Sequence, residues 1–279
     1  MVDIEVQRNE LTNHENDTNN NGNYNVCEAT MIIGEEKIGY CIYGVGNIKI
    51  IFICGGVGCF RKDFPEFLLR YFDPSIYTIF CIDPPGYGTS RPPDRKQEIN
   101  RCYKDAVVCK VLMEKLCTES YFVLGWSEGT RTAVHLADLA QNRIHGLILL
   151  APSTRIDRKM AEIFRGLRDI DLWIPETLNI YLEHYSKEFV RKQWADLFYE
   201  ELGGRFPADY LLPKIHRAVL VLSGSQDKIC NNNSYFSTTL SNCRTDCHML
   251  AGHDFYLKYP KWFAERVQKF IFDVQTSSK

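Results

Sequence analysis

Five stretches of this chain, residues 48–54, 77–82, 121–124, 144–150 and 218–222, are apolar almost without interruption. A strand wetted on one face alternates polar with apolar residues. A strand covered on both faces does not, so runs of this kind predict a parallel sheet sandwiched between helices. Between the runs, residues 64–72, 103–116 and 130–139 carry apolar side chains at helical spacing, which predicts successive βαβ units. Two shorter runs, 31–33 and 38–43, flank Gly34-Glu35-Glu36-Lys37 and read as an opening antiparallel hairpin. The alternation breaks over 153–213, where 160–167, 177–185 and 187–201 look helical with no strand between them. That interval is expected to be an inserted helical lid. A strand at 244–250 and an amphipathic helix at 261–274, with Trp262, Phe263, Val267, Phe270 and Ile271 on its packing face, complete the pattern.

Residues 1–25, with Asn19-Asn20-Asn21-Gly22-Asn23, have too little apolar content to repay their ordering entropy and are expected to be a disordered tail. The remainder of the 279 residues then divides into core over 26–152, lid over 153–213 and core again over 214–279. Lys and Arg number 33 against 35 Asp and Glu, a net charge of -2, so no global field draws the chain to nucleic acid or to an acidic membrane. A small-molecule partner is expected instead. No apolar run is long enough to span a membrane, and no repeat is visible. The 11 cysteines are odd in number, and the first residues resemble neither a secretory signal nor a transit peptide. Free thiols in the reducing cytoplasm fit that usage.

Chemistry enters at Gly125-Trp126-Ser127-Glu128-Gly129. This GxSxG segment follows the run 121–124 and precedes the helical 130–139, giving strand, sharp turn and helix. Such a turn holds a serine hydroxyl out at the top of a sheet, which makes Ser127 a candidate nucleophile. An ordinary βα turn with a capping serine fits the same residues. A nucleophilic serine needs a base, itself oriented by an acid, and in an open parallel sheet both must come from the carboxyl ends of strands. His14 lies in the tail, His145 and His216 where strands begin, and His248 inside a strand. His135 is eight residues beyond Ser127 on the same helix, about 12 Å away along its axis, and His184 falls in the lid. His253, directly beyond the last strand, is suitably placed.

Asp227 follows the strand 218–222 and gives the chain order Ser, Asp, His. Asp157, beyond the strand 144–150, is the alternative acid. Backbone N–H groups of Gly56 and Glu128 are the expected oxyanion donors, one from the loop after the third strand and one from the residue after the serine. Gly56-Val57-Gly58 is no dinucleotide fingerprint, because Arg61 stands where its last glycine belongs. Cys243, Cys247 and His253 have a superficial metal-ligand spacing but lack a companion pair, so no metal is expected.

The segments Asp83-Pro84-Pro85-Gly86-Tyr87-Gly88-Thr89-Ser90-Arg91-Pro92-Pro93-Asp94-Arg95, Leu124-Gly125-Trp126-Ser127-Glu128-Gly129 and Leu167-Arg168-Asp169-Ile170, with Trp173, resemble the α/β-hydrolase family, and within it the biphenyl hydrolase-like proteins known as valacyclovir hydrolases. The resemblance runs from about residue 31 to residue 272. It implies a mostly parallel eight-stranded sheet with helices on both faces, an inserted helical lid and no cofactor. It also implies a serine esterase that cleaves α-amino acid esters through an acyl-enzyme, with Ser127, Asp227 and His253 matching the family's triad. Glu128 stands where that family has an aspartate that receives the substrate's ammonium, and Val57 and Ile229 match apolar positions near the leaving group. Cys54, Gly56 and Pro85 depart from the family's usual residues. A general carboxylesterase, thioesterase or iminopeptidase with the same triad, or a non-catalytic hydrolase-like binding protein, are the alternatives.

Overall fold

The computed structural model describes residues 26–153, 155–197, 205–230 and 233–277. The expected tail over 1–25 and the end of the helix expected at 187–201 fall outside them. The described residues open with β1 (Cys27–Ile33), β2 (Glu36–Tyr43) and β3 (Ile48–Ile53), followed by the short helices α1 (Phe60–Asp63) and α2 (Glu66–Leu69). Next come β4 (Tyr77–Ile82), α3 (Arg101–Leu116), β5 (Tyr121–Trp126), α4 (Gly129–Leu139) and β6 (Ile144–Leu150). Helices α5 (Arg158–Leu167), α6 (Pro175–Leu182) and α7 (Lys187–Ala195) intervene before β7 (Ala218–Gly224). The chain closes with α8 (Asn233–Thr239), β8 (Cys243–His248), α9 (Phe255–Lys258) and α10 (Pro260–Ser277).

All eight strands form one sheet in the order β1-β2-β4-β3-β5-β6-β7-β8. The pairs β1–β2 and β2–β4 are antiparallel, and every pairing from β4 to β8 is parallel. This is the predicted α/β-hydrolase fold. Successive strand residues point to opposite faces, so Ile51, Ile53 and Val123 enter one apolar layer with Leu112 of α3 and Val134 of α4, while Ile50, Phe52 and Phe122 enter another with Phe263 and Val267 of α10. Both faces are covered, which explains the unbroken apolar runs.

The local structure departs from the sequence reading at two places. The helix expected at 64–72 is only the short α2 at 66–69, with the separate α1 at 60–63 before it, because Pro65 supplies no N–H to continue a helix across it and instead precedes α2 as its N-cap. The polar residues of α8 gave no apolar period to read, so that helix was not anticipated.

From β3 the chain crosses to β4 on one side and then returns to β5 on the other. Since β5 leads on to β6 on the far side, the loops after β3 and β5 run in opposite directions, and the strand order reverses between them. Ile53 and Gly125, at the carboxyl ends of those strands, are register partners.

Candidate active site

Ser127 lies at the turn between β5 and α4 with φ 51°, a left-handed conformation unfavourable for a side-chain-bearing residue. Its N–H donates to the Leu150 carbonyl at 2.9 Å, which ties the turn to the end of β6. The flanking glycines are required by contact rather than by φ. A Cβ on Gly125 would lie 2.3 Å from the Gly129 carbonyl oxygen, and one on Gly129 would lie 2.4 Å from the carbonyl oxygens of Ile53 and Cys54. The turn packs against β3 so closely that only hydrogen fits.

Three distant segments meet there. His253 Nε2 is 2.9 Å from Ser127 Oγ, and His253 Nδ1 is 2.8 Å from Asp227 Oδ2. Asp227 follows β7, and its other oxygen, Oδ1, accepts from the N–H groups of Ile229 at 2.8 Å and Cys230 at 3.0 Å. The Asx turn and the imidazole contact thus use different oxygens of one buried carboxylate. His253 follows β8, and its carbonyl accepts from Trp126 Nε1 at 3.1 Å. Burial is the largest influence on the imidazole and pushes its pKa down, but neighbouring Cys230 and the Asp227 carboxylate outweigh it and hold the pKa above the ordinary histidine value. In the neutral tautomer with its proton on Nδ1, facing the carboxylate, Nε2 is left to accept from the Ser127 hydroxyl, the geometry needed to move a proton off Ser127.

The loop after β3 is held by residues that sequence reasoning missed. Asp63, 1% exposed, accepts from the Gly55 N–H at 2.9 Å, and Gly58 N–H donates back to the Gly55 carbonyl at 3.2 Å. Gly56 lies between these anchors. Lys62 pairs with Asp63, and its ammonium stands over the Tyr181 ring at 4.5 Å and the Trp126 ring at 5.3 Å. Burial, the largest influence, disfavours that ammonium, yet Asp63 and Tyr181 outweigh it and raise the Lys62 pKa above the usual lysine value. An adjacent lysine and acid are ordinarily a solvated pair, so no sequence signal marked this one on α1. Glu128 directly precedes α4, where first-turn N–H groups have no intrahelical acceptor.

The Glu128 side chain already has partners within the protein. Its carboxylate is buried and accepts from Arg101 Nε at 3.0 Å and from Arg101 Nη2, while Arg131 Nη1 lies 3.4 Å from Oε2. Burial, the largest influence, raises its pKa, but the arginines dominate and bring it down to about 2.

The remaining candidates are also located. Asp157, the alternative acid, caps α5 by accepting from Met160 N–H at 2.8 Å and makes no contact with His253. Buried His135 meets the Tyr103 ring edge, and His248 stacks on Tyr259. Val57, with φ 51° and no exposed surface, sits in an apolar cluster with Met160, Phe164, Ile170 and Phe189 of the inserted segment, and partly buried Ile229 packs against it. Cys243 and Cys247 do not gather with His253. Among the described residues the one group of three metal-ligating side chains is Asp227, Cys230 and His253, with ligand atoms within 4.8 Å of one another. A cavity of about 260 Å³ lies elsewhere, lined by Arg95, Glu98, Arg101, Lys104 and Asp105 among others, and includes none of Ser127, Asp227 or His253.

The family model described as "alpha/beta hydrolase fold" matches residues 49–202. A curated human protein, "Serine hydrolase BPHL", is 23% identical over 254 residues, 88% of this chain and 87% of the relative. A serine hydrolase involved in carbazole degradation superposes with a TM-score of 0.71 at 19% identity, covering 88% of this chain and 99% of the other. The haloalkane dehalogenase DbeA from Bradyrhizobium elkani USDA94 superposes with a TM-score of 0.73 at 16% identity, covering 91% of this chain and 100% of the other.

Proposed function

The chain belongs to the α/β-hydrolase fold family, and from that premise we propose that it is a serine hydrolase acting on carboxylic esters through an acyl-enzyme. The observation that carries this reading is one imidazole bridging Ser127 Oγ at 2.9 Å and Asp227 Oδ2 at 2.8 Å. Fold alone does not choose the reaction, since one scaffold hosts many chemistries. The side chains supply the reason for this choice.

In the proposed reaction His253 Nε2 takes the proton of Ser127 as Oγ attacks the ester carbonyl. Asp227 keeps the other ring nitrogen protonated, orients the ring and stabilises the imidazolium that forms. The N–H groups of Gly56 and Glu128 receive the developing oxyanion, with Asp63 holding the Gly56 loop through Gly55. His253 then protonates the departing alkoxide, and a water activated by the same base clears the acyl-enzyme. We further propose that α5, α6 and α7 act as the lid, because their apolar side chains pack on Val57, Cys59 and Tyr87 of the loops beside the serine. Val57 and Ile229 form the apolar side of the leaving-group region in this reading.

The α-amino acid ester expected from the family resemblance depends on Glu128, and the arginines on its carboxylate argue against that dependence. We therefore propose esters that need carry no α-ammonium. No helix among the described residues is long and apolar enough to cross a membrane. All 11 cysteines are free, which supports a reducing compartment such as the cytoplasm.

An organophosphonate probe tests the nucleophile. The intact protein is expected to be labelled and Ser127→Ala to stay unlabelled, with ester turnover falling by about 10⁴-fold or more. Equal labelling of both proteins, or none of the intact protein, rejects the assignment.

A further inference from the structure

We propose that Cys230, His253 and Asp227 form a binding site for a thiophilic divalent cation of the Zn²⁺ type, and that the bound cation switches Ser127 off. Its inhibitory consequence rests on the serine-hydrolase reading; the cation site itself does not.

The three side chains are brought together by one tight turn and one loop. Cys230 stands three residues after Asp227, and its N–H donates to Asp227 Oδ1 at 3.0 Å, so thiol and acid belong to a single turn after β7. His253 arrives from the loop after β8 with Nδ1 2.8 Å from Asp227 Oδ2. The ligand atoms lie within 4.8 Å of one another. One sulfur, one imidazole nitrogen and one carboxylate oxygen suit Zn²⁺ far better than Mg²⁺ or Ca²⁺, which prefer oxygen alone. Zn–S of about 2.3 Å and Zn–N or Zn–O of about 2.0–2.1 Å put tetrahedral ligand atoms roughly 3.3–3.6 Å apart. The widest pair would close by at most about 1.5 Å and the Nδ1–Oδ2 pair would open slightly. Such shifts are within reach of χ rotations. Asp227 and Cys230 are buried, whereas the His253 side chain is 20% exposed and offers the path from solvent on which a fourth ligand, water, would sit.

The proton balance explains the inhibition. Forming the Zn–S bond releases the thiol proton to solvent. Forming the Zn–N bond at Nδ1 removes the proton that Nδ1 shares with Asp227, and a proton is taken up at Nε2, so the ring stays neutral in its other tautomer. One proton is released per cation. Nε2 now donates towards Ser127 Oγ instead of accepting from it, and the serine has lost its base. The sequence spacing of Cys243, Cys247 and His253 suggested a different trio, which the fold does not assemble.

Two readouts on the full-length, reduced protein separate the site from its consequence. Cobalt titration reports the site directly: wild type and Ser127→Ala are expected to develop thiolate-to-Co²⁺ charge-transfer absorption, and Cys230→Ser to lose it. Subtracting the Cys230→Ser spectrum removes any contribution of the half-exposed Cys243 and Cys247. Organophosphonate labelling reports the consequence: Zn²⁺ is expected to slow labelling of wild type, and EDTA to restore it. Cys230→Ser and Cys230→Val, each compared with its own metal-free rate, are expected to need at least tenfold more Zn²⁺ for the same inhibition. Equal Zn²⁺ sensitivity in wild type and both variants, or identical cobalt spectra, overturns the proposal. Absence of labelling without any metal would fail the hydrolase reading, and the cobalt spectra would still decide the site.

Discussion

Glu128 is one residue from Ser127, and its two halves have separate uses. The backbone begins α4 beside the serine, while the side chain turns into a buried pair with Arg101 at the start of α3 and Arg131 on α4. Removing one partner of such a buried pair leaves a charge without compensation and costs about 3–5 kcal/mol. The sign of the pH dependence follows from the direction of the shift. The folded pKa is depressed from 4.5 to about 2, so the stabilisation is fully present above pH 4.5 and is lost as pH falls from there towards 2. Glu128→Gln is therefore expected to lower stability at neutral pH and to flatten the loss of stability between pH 4.5 and 2, as read by denaturant titration at several pH values. At a temperature where the variant is folded, its rates on matched esters with and without an α-amino group should fall by the same factor. A loss confined to the amine-bearing ester would restore Glu128 as an ammonium receptor.

Elements place the functional atoms by where they stop. Strands β5, β7 and β8 end at one edge of the sheet, and Ser127, Asp227 and His253 follow them within a few residues. The positions of Ser127 and Asp227 were legible because the apolar runs 121–124 and 218–222 end where β5 and β7 end, whereas His253 was placed by the expected strand at 244–250, which carries no such run. The choice between acids was not legible, because Asp157 and Asp227 both follow a strand. Helix α5 separates them: Asp157 accepts from Met160 N–H at 2.8 Å and spends its side chain as an N-cap. Asp157→Ala is expected to cost about 1 kcal/mol of stability with no change in the metal-free labelling rate of Ser127. A collapse of labelling in that variant, with its fold intact, would return Asp157 to the chemistry.

At the scale of the molecule, Tyr185 fastens the inserted helices to the sheet's loops. Its hydroxyl donates to the Gly58 carbonyl at 3.1 Å and accepts from Gly88 N–H at 3.0 Å, while its ring stacks on Phe189 at 4.8 Å. One side chain between α6 and α7 thereby ties the insertion to the loops after β3 and β4, next to the proposed oxyanion donor. Tyr185→Phe takes this partner from the buried Gly58 carbonyl and the part-buried Gly88 N–H, at a cost of about 1–3 kcal/mol. The expected result is a melting temperature lower by about 2–4 °C for each kcal/mol lost, together with slower labelling of Ser127. An unchanged melting temperature and rate would mean that the insertion is held without this bridge. The helical character of the insertion was legible from its apolar spacing; the partners of its hydroxyl were not, because contacts separated by about a hundred residues leave no periodic trace.

The sequence by itself determined the layered α/β architecture, the elbow at Ser127 and the strand ends from which Asp227 and His253 depart. Each of these follows from local sterics or from burial on one or two faces, which act over a few neighbouring residues and so are written in spacing. Only the tertiary structure decided that Glu128 faces two arginines, that Asp63 holds Gly55, and that Cys230 rather than Cys243 or Cys247 stands beside the imidazole. Charge pairing and ligand clustering depend on distances in space between segments remote along the chain, and those distances exist only once the sheet has brought the segments together.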